Sequence, residues 1–130
     1  MSAYLNGIDH IEINVDDLEE MVAFLKRVGF VETRRTAHTG GSVELRFPGG
    51  LDAPILELNE SADEPKGFQH IAIRTTDIDA CYQEFVDKGF EFQRPLLPAA
   101  SSGRRVFNLK DPEGKKLQIA TPIDLEQAAS

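Results

Sequence analysis

Two histidines, a glutamate and a glutamine are placed along this 130-residue chain in a way that could hold a metal ion. His10 and His70 each begin a segment in which polar and apolar residues alternate, and Glu57 and Gln118 each lie within such a segment. Two neutral imidazoles with one carboxylate bind a divalent ion and leave coordination positions open for water or substrate. We therefore predict a metal site at His10, Glu57, His70 and Gln118; the alternative for each histidine is a hydrogen-bonded structural role.

These four residues occupy repeated positions. With the chain shifted by 60 residues His10 aligns with His70, and with a shift of 61 Glu57 aligns with Gln118. The other identities at a shift of 60 include Ile11 and Ile71, Ile13 and Ile73, Asp17 and Asp77, Gly29 and Gly89, and Phe30 and Phe90. Identities at both ends of a gap-free stretch indicate an internal duplication.

Each copy is predicted to form a strand, a helix and three further strands. The segments "HIEINV" and "HIAIRT" alternate as half-buried strands do. The helices are expected to begin at the capping pairs Asp16 with Glu19 and Thr76 with Asp79, and to end at Gly29 and Gly89. The remaining strands are expected near residues 31–36, 42–47, 54–59, 91–97, 105–109 and 116–120, with turns at "PGG" and "DPEG".

The predicted architecture is one α+β domain over residues 1–130. Two tandem βαβββ modules form curved mixed sheets around a cavity in this prediction. The first module covers about residues 6–60 and the second about residues 66–122. The tail, residues 123–130, is expected to form a short helix or to fray.

One face of each predicted sheet has no helix over it, because the strands outnumber the helices. In the first strand, alternation puts the aliphatic residues on the helix side and His10, Glu12 and Asn14 on the other side. Glu57 and Gln118 fall on the same uncovered face. That face must meet the other copy, a partner chain or a ligand.

The composition excludes several classes of partner and compartment. A formal net charge of −8 argues against nucleic acid and against an anionic membrane surface. The single cysteine, Cys81, allows no intrachain disulfide, which is typical of a reducing compartment. No segment has the roughly 20 apolar residues that cross a bilayer, and the N-terminus has no signal-peptide pattern. We expect a cytoplasmic protein that binds a small molecule.

The sequence resembles the vicinal oxygen chelate superfamily, which includes glyoxalase I, bleomycin-resistance proteins and extradiol dioxygenases. The resemblance rests on "DHIEINVDDLEEMVAFLKRVGF", "PILELNE", "QHIAIRTTDIDACYQEFVDKGF" and "DPEGKKLQI". It implies paired βαβββ modules, and metal ligands at His10, Glu57, His70 and Gln118. Glutamate is usual at the last position, so Gln118 is the main departure.

A glyoxalase-type resemblance implies a divalent-metal-dependent lyase or isomerase. Such an enzyme acts on a small substrate with neighbouring oxygens through an enediolate, with Glu57 as base or ligand. Histidine and carboxylate ligands suit Zn, Ni, Co, Mn or Fe. The resemblance also implies a homodimer with sites at the interface, although the ligands could equally meet within one chain.

Three other functions remain open. A bleomycin-resistance-like protein binds a small molecule or drug without metal and needs neither histidine. An extradiol dioxygenase would need a carboxylate at Gln118. An epimerase of the methylmalonyl-CoA type uses two histidines, a glutamine and a glutamate, and this chain resembles the mirror image of that set, with glutamate and glutamine exchanged between modules.

Further polar residues complete the predicted site. Glu44 could act as a second catalytic carboxylate, as epimerisation requires; the alternative is an ion pair with Arg46. Residues predicted to hold an anionic part of the substrate are Arg46, Arg74, Arg94 and Arg104. The positions that bind the glutathione carboxylate in the family fall on Asn14, Ser61 and Lys66, where only the lysine keeps a cation.

Overall fold

The computed structural model describes residues 4–47, 53–99 and 102–122. The strands are β1 (Leu5–Asn14), β2 (Val31–Thr36), β3 (Ser42–Arg46), β4 (Ile55–Asn59), β5 (Gly67–Thr75), β6 (Phe92–Arg94), β7 (Val106–Lys110) and β8 (Lys116–Ala120). The α-helices are α1 (Leu18–Val28) and α2 (Ile78–Asp87), and a 3₁₀ turn spans His38–Gly40. None of these helices has the length and apolar character that a membrane span requires. The α+β class and the order βαβββ in each half are confirmed.

The chain divides into two compact units. The N-terminal unit contains residues 10–69, and the C-terminal unit contains residues 70–122 together with the start of β1, up to Asp9. The start of β1 joins the C-terminal unit because Tyr4 packs against its apolar core and Arg74 donates a hydrogen bond to the Asn6 carbonyl.

In the N-terminal unit the strands lie in the order β2-β3-β4-β1. Strands β2, β3 and β4 are antiparallel neighbours, and β1 is parallel to β4. Helix α1 buries Leu18 and Val22 against Val43, Leu45 and Leu58 of the sheet. The helix therefore covers the aliphatic face, and the polar residues lie on the other face.

The C-terminal unit repeats this order as β5-β8-β7-β6. Helix α2 packs Cys81 and Phe85 against Phe107 and Ile119. Burial raises the pKa of the Cys81 thiol, so Cys81 behaves as a core residue rather than as a nucleophile.

Both helices begin one residue later than predicted. The N-cap residues are Asp17 and Asp77, whose carboxylates accept hydrogen bonds from the backbone N–H groups of Glu20 and Ala80. The acid expected to complete the first capping box, Glu19, instead pairs with Arg35. Asp79 likewise pairs with Arg105. The two acids therefore join a helix to a strand or loop rather than closing the cap.

Asp17→Ala should lower the free energy of unfolding by about 0.5–2 kcal/mol, because an N-cap side chain satisfies a backbone donor that otherwise has none. Asp16→Ala is the matched control. The Asp16 side chain is 86% exposed, and its ion pair with Lys66 is long, at 3.7 Å. Urea unfolding of the two variants measures the difference. Equal losses in both would contradict the assignment of Asp17 as the cap.

Five strands, β2, β3, β4, β7 and β8, lie within one residue of their predicted positions, whereas β1 and β5 begin earlier than predicted, at Leu5 and Gly67. Strand β6 ends at Arg94, well before the predicted residue 97, because Pro95 follows and cannot donate to a strand ladder. The turn "DPEG" forms as expected, with Gly114 N–H donating to the Asp111 carbonyl at 2.9 Å. The predicted "PGG" turn and the tail after Pro122 lie outside the described residues.

Candidate metal and acid–base site

A row of charged residues crosses the uncovered face of the N-terminal unit. Arg34, Glu44, Glu57 and Glu12 lie opposite one another on β2, β3, β4 and β1. Residues directly opposite one another in a sheet lie on the same face. We call these four residues the acidic row. Its carboxylate residues are buried, with Glu44 exposed by 1% and Glu57 by 2%.

Two further side chains fix Glu57 in place. His10 Nε2 lies 3.2 Å from Glu57 Oε2. Ser42 Oγ donates to Glu57 Oε1 at 3.3 Å. The predicted pair of His10 and Glu57 is therefore brought together within one unit.

Two further side chains near Glu57, those of Glu12 and His38, were not predicted from the sequence as metal ligands. Potential ligand atoms of Glu12, His38 and Glu57 all lie within 4.8 Å of one another, which is a possible metal-binding group. Alternation did place Glu12 on the correct face, but nothing in the pattern marked it as a ligand. His38 lies in the 3₁₀ turn before β3, and the residue 60 positions later is Pro98, so the duplication carried no signal for it.

Glu44 is paired with Arg34, a residue that the sequence had not connected with it. Arg34 donates from Nη1 to Glu44 Oε2 at 3.0 Å. Arg46 donates to the Ala53 carbonyl at 3.3 Å. Glu44 therefore stands beside Glu57 with a guanidinium that orients its carboxylate.

The C-terminal unit carries the corresponding row with amides in place of acids. Arg94, Asn108, Gln118 and Ala72 lie opposite one another on β6, β7, β8 and β5. We call these four residues the amide row. His70 Nε2 lies 3.3 Å from Gln118 Oε1, so the second predicted pair is also brought together within one unit.

Hydrogen bonds along the amide row set the orientation of Gln118. Its Nε2 donates to Asn108 Oδ1 at 3.2 Å, and Asn108 Nδ2 donates to Gln93 Oε1 at 2.8 Å. The donor end of Gln118 is thus turned toward Asn108 and its oxygen toward His70. An amide binds a divalent ion through its oxygen, and the Gln118 oxygen lies beside the imidazole of His70, the other predicted ligand of this unit.

The residues present fit a divalent cation. Imidazole nitrogens and carboxylate oxygens are suitable ligands for first-row divalent metals. A buried polar side chain also lacks a partner at the acidic row: both Asn59 side-chain atoms make no hydrogen bond in the described structure. Asn59 follows Glu57 by two residues on β4, on the same face of the sheet.

The four predicted substrate-binding arginines have different surroundings. Arg104 is buried, and its Nε donates to Asp9 Oδ2 at 2.8 Å, so this cation stabilises the start of β1. Arg74 binds Asn6, also at the start of β1. Arg46 and Arg94 lie on the sheets that carry the two rows, Arg94 within the amide row itself.

A cleft of about 490 Å³ lies at the start of α1. Its lining includes Asn14, Lys66 and the acidic residues Asp16, Asp17 and Glu20. Lys66 Nζ donates to the Ser61 carbonyl at 2.7 Å, and Asn14 Nδ2 donates to the Pro65 carbonyl at 3.2 Å. These donors bind backbone oxygens beside an acidic lining, which does not favour the carboxylate of glutathione.

Comparison with known proteins agrees with this architecture. The family model described as the Glyoxalase/Bleomycin resistance protein/Dioxygenase superfamily matches residues 7–119. The uncharacterized protein YwbC of Bacillus subtilis is 31% identical over 120 residues, which cover 86% of this chain and 94% of that protein.

Two solved structures are similar over almost the whole chain. A methylmalonyl-CoA epimerase in complex with methylmalonyl-CoA and NH₄⁺ is 28% identical, with a TM-score of 0.75; the match covers 93% of this chain and 97% of that one. A selenomethionine methylmalonyl-CoA epimerase has a TM-score of 0.80 at 17% identity, covers 95% and 100% of the two chains, and shows the fold alone. Both solved relatives are epimerases, the function that the sequence placed behind a glyoxalase-type lyase.

The matched family model, the relative from B. subtilis and the two βαβββ units confirm the resemblance to the vicinal oxygen chelate fold. This chain belongs to the glyoxalase, bleomycin-resistance protein and dioxygenase superfamily.

Proposed function

We propose that this chain is a divalent-metal-dependent isomerase that moves a proton at a carbon next to a carbonyl group. The observation that carries the proposal is the pairing of Glu44 with Glu57 on neighbouring strands, both buried. In this proposal Glu57, which lies 3.2 Å from His10, holds a metal ion with that histidine, and Glu44 exchanges a proton with the substrate.

The proposed ligands are His10 and Glu57 in the N-terminal unit and His70 and Gln118 in the C-terminal unit. These residues would hold a divalent ion, which would supply Lewis-acid polarisation of a carbonyl oxygen and make the neighbouring C–H bond more acidic. His10 and Ser42 fix the Glu57 carboxylate from two sides. Partners of this kind keep a ligand in its binding orientation.

Glu44 is the proposed general base. Its carboxylate takes the proton from one side of the substrate carbon and releases it to solvent. A solvent molecule returns a proton to the other side of that carbon, which inverts its configuration. Arg34 orients the carboxylate through the bond at 3.0 Å. A fixed base within hydrogen-bond reach of the substrate can contribute about 10²–10⁴-fold to the rate.

The proposed substrate class is an acyl thioester in which the carbon next to the thioester carbonyl also carries a second carbonyl group. Support comes from the similarity to the methylmalonyl-CoA epimerase crystallised with methylmalonyl-CoA, at 28% identity over 93% of this chain. Arg46 and Arg94 remain the proposed partners for an anionic part of the substrate. The proposed assembly is a homodimer, which is common in the superfamily.

A second candidate is a glyoxalase-type isomerisation of a hemithioacetal. It is favoured by the placement of the carboxylates, since the amide row has none. Proton transfer between two neighbouring carbons needs one base, whereas inversion of a carbon by two bases needs groups on both of its sides. The acidic row supplies carboxylates from a single sheet face.

Two substrates separate these candidates. We expect metal-loaded protein to convert (S)-methylmalonyl-CoA into its (R) form, as measured by chiral chromatography, and to leave the hemithioacetal of methylglyoxal and glutathione unchanged. The reverse result would establish the glyoxalase-type reaction instead. Protein that holds no divalent ion, takes none up and converts neither substrate would overturn the enzyme proposal in favour of a metal-free binding protein.

A further inference from the structure

We propose that Glu12 and His38 are metal ligands together with Glu57, so that the N-terminal unit alone provides three ligands and places His10 beside them. This inference rests on the metal dependence of the proposed function. It assigns to Glu12 and His38 a role that the family resemblance gives to neither residue.

The geometry of the three side chains is the first argument. Their potential ligand atoms lie within 4.8 Å of one another. Two ligands at about 2.0–2.2 Å from one ion are separated by no more than about 4.4 Å. Three ligands around one tetrahedral ion lie about 3.4 Å from one another, so side-chain movements on the order of an ångström would close the group around an ion. Glu12 already lies directly opposite Glu57 on the neighbouring strand.

The charge of the buried row is the second argument. Glu12, Glu57 and Glu44 occupy three adjacent strands at the same level, and all three residues are buried. Neighbouring like charges in a sheet repel one another, and buried charges need compensation. Arg34 pairs with Glu44, at the end of the row away from Glu12. A dication between Glu12 and Glu57 would reduce the repulsion between these two neighbouring carboxylates.

The duplicated half shows that the fold itself does not need these residues. Ala72 takes the place of Glu12 in the amide row, and Gln118 takes the place of Glu57. The sheet of the C-terminal unit pairs in the same order with these neutral residues. A carboxylate at Glu12 is thus not required for strand pairing.

Asn59 is an independent sign of a bound group. It is exposed by 1%, and its amide nitrogen and oxygen make no hydrogen bond in the part of the chain that the structure describes. Because it lies on the face of β4 that carries Glu57, its amide is directed toward the same region. A water molecule or substrate oxygen beside the ion would satisfy this amide.

The proposed ligands would also offset the charge that is lost at Gln118. Two histidines and two glutamates neutralise a dication, whereas replacing one glutamate by glutamine leaves a charge of +1. Glu12 restores the missing negative charge from within the N-terminal unit. In the superfamily pattern each copy contributes one glutamate ligand. In this proposal both glutamate ligands, Glu12 and Glu57, come from the first copy.

Zinc titration of the full chain tests the inference. Chelator-treated wild type, Glu12→Gln and His38→Gln are titrated with Zn²⁺ by calorimetry against a competing chelator. Loss of an outer partner of a ligand already weakens metal binding by about 10–100-fold, so each variant should lose at least about tenfold. Glu64→Gln, which changes an exposed carboxylate, should bind as the wild type does.

Absorption of the Co²⁺-loaded proteins gives a second readout, because the d–d bands report the ligand set without any need for activity. Thermal unfolding in chelator shows whether each variant is folded. Wild-type zinc affinity in both folded variants, combined with its loss in Glu57→Gln, would overturn the inference and leave the proposed function standing. Failure of the wild type to bind any ion would instead overturn both.

Discussion

Glu44→Gln should slow proton removal from the substrate by about 100- to 10,000-fold and leave zinc affinity unchanged. Glutamine keeps the shape of the side chain but cannot accept a proton at neutral pH. Glu44 lies beside the proposed ligand Glu57 without being one of the proposed ligands, so the ion should still bind. Deuterium exchange at the substrate carbon measures the rate, and calorimetry measures the affinity.

Glu64→Gln serves as the matched control for this variant, since it makes the same chemical change at an exposed position. Its exchange rate should equal that of the wild type. An unchanged exchange rate in Glu44→Gln would remove Glu44 from the mechanism. A parallel loss of zinc affinity would make Glu44 part of the metal site rather than the base.

Glu57→Gln should abolish the stabilisation that zinc gives to the folded protein. An ion that binds only the folded state adds about 4 kcal/mol to the free energy of unfolding at 1,000 times its Kd. Glu57 is common to both proposed groups of metal ligands, because it contacts His10 and lies near Glu12 and His38. The variant should therefore show almost no increase in unfolding free energy on addition of zinc.

The quantity to compare is the difference between unfolding with zinc and unfolding with chelator, measured separately for each protein. This difference removes any cost that the substitution imposes on the metal-free fold, where Glu57 also accepts a bond from Ser42. A zinc-dependent increase in Glu57→Gln equal to that of the wild type would place the ion elsewhere.

The paired histidines could be found in the sequence because the duplication places them at matching points of two alternating strands. The same alternation found Glu57, Gln118 and Glu44, and the structure puts these residues on the polar faces of their sheets. Local pattern is sufficient here because a period of two determines the face on which a strand residue lies.

Partners that depend on strand register could not be read from the sequence. Asp9 and Arg104 are separated by 95 positions, and no local pattern connects them. The bond from Gln118 to Asn108 depends on how β7 and β8 are aligned. His38 was missed because a single turn residue has no periodicity and no counterpart in the second copy.

The helix starts show a different reason for error. Asp16 and Asp17 are both good N-cap residues, and so are Thr76 and Asp77. The predicted caps relied on an acid three residues later. In the folded chain Arg35 and Arg105 pair with those acids, and the second residue of each pair becomes the cap.

The central claim is that a divalent ion and a carboxylate base together remove a proton next to a carbonyl. Incubation of the wild type with methylmalonyl-CoA in D₂O, followed by mass spectrometry of the thioester, tests it most directly. We predict rapid incorporation of deuterium at the carbon between the two carbonyl groups with metal-loaded protein, and incorporation at the uncatalysed rate after chelation. Equal incorporation with and without the metal, or none in either case, would contradict the account.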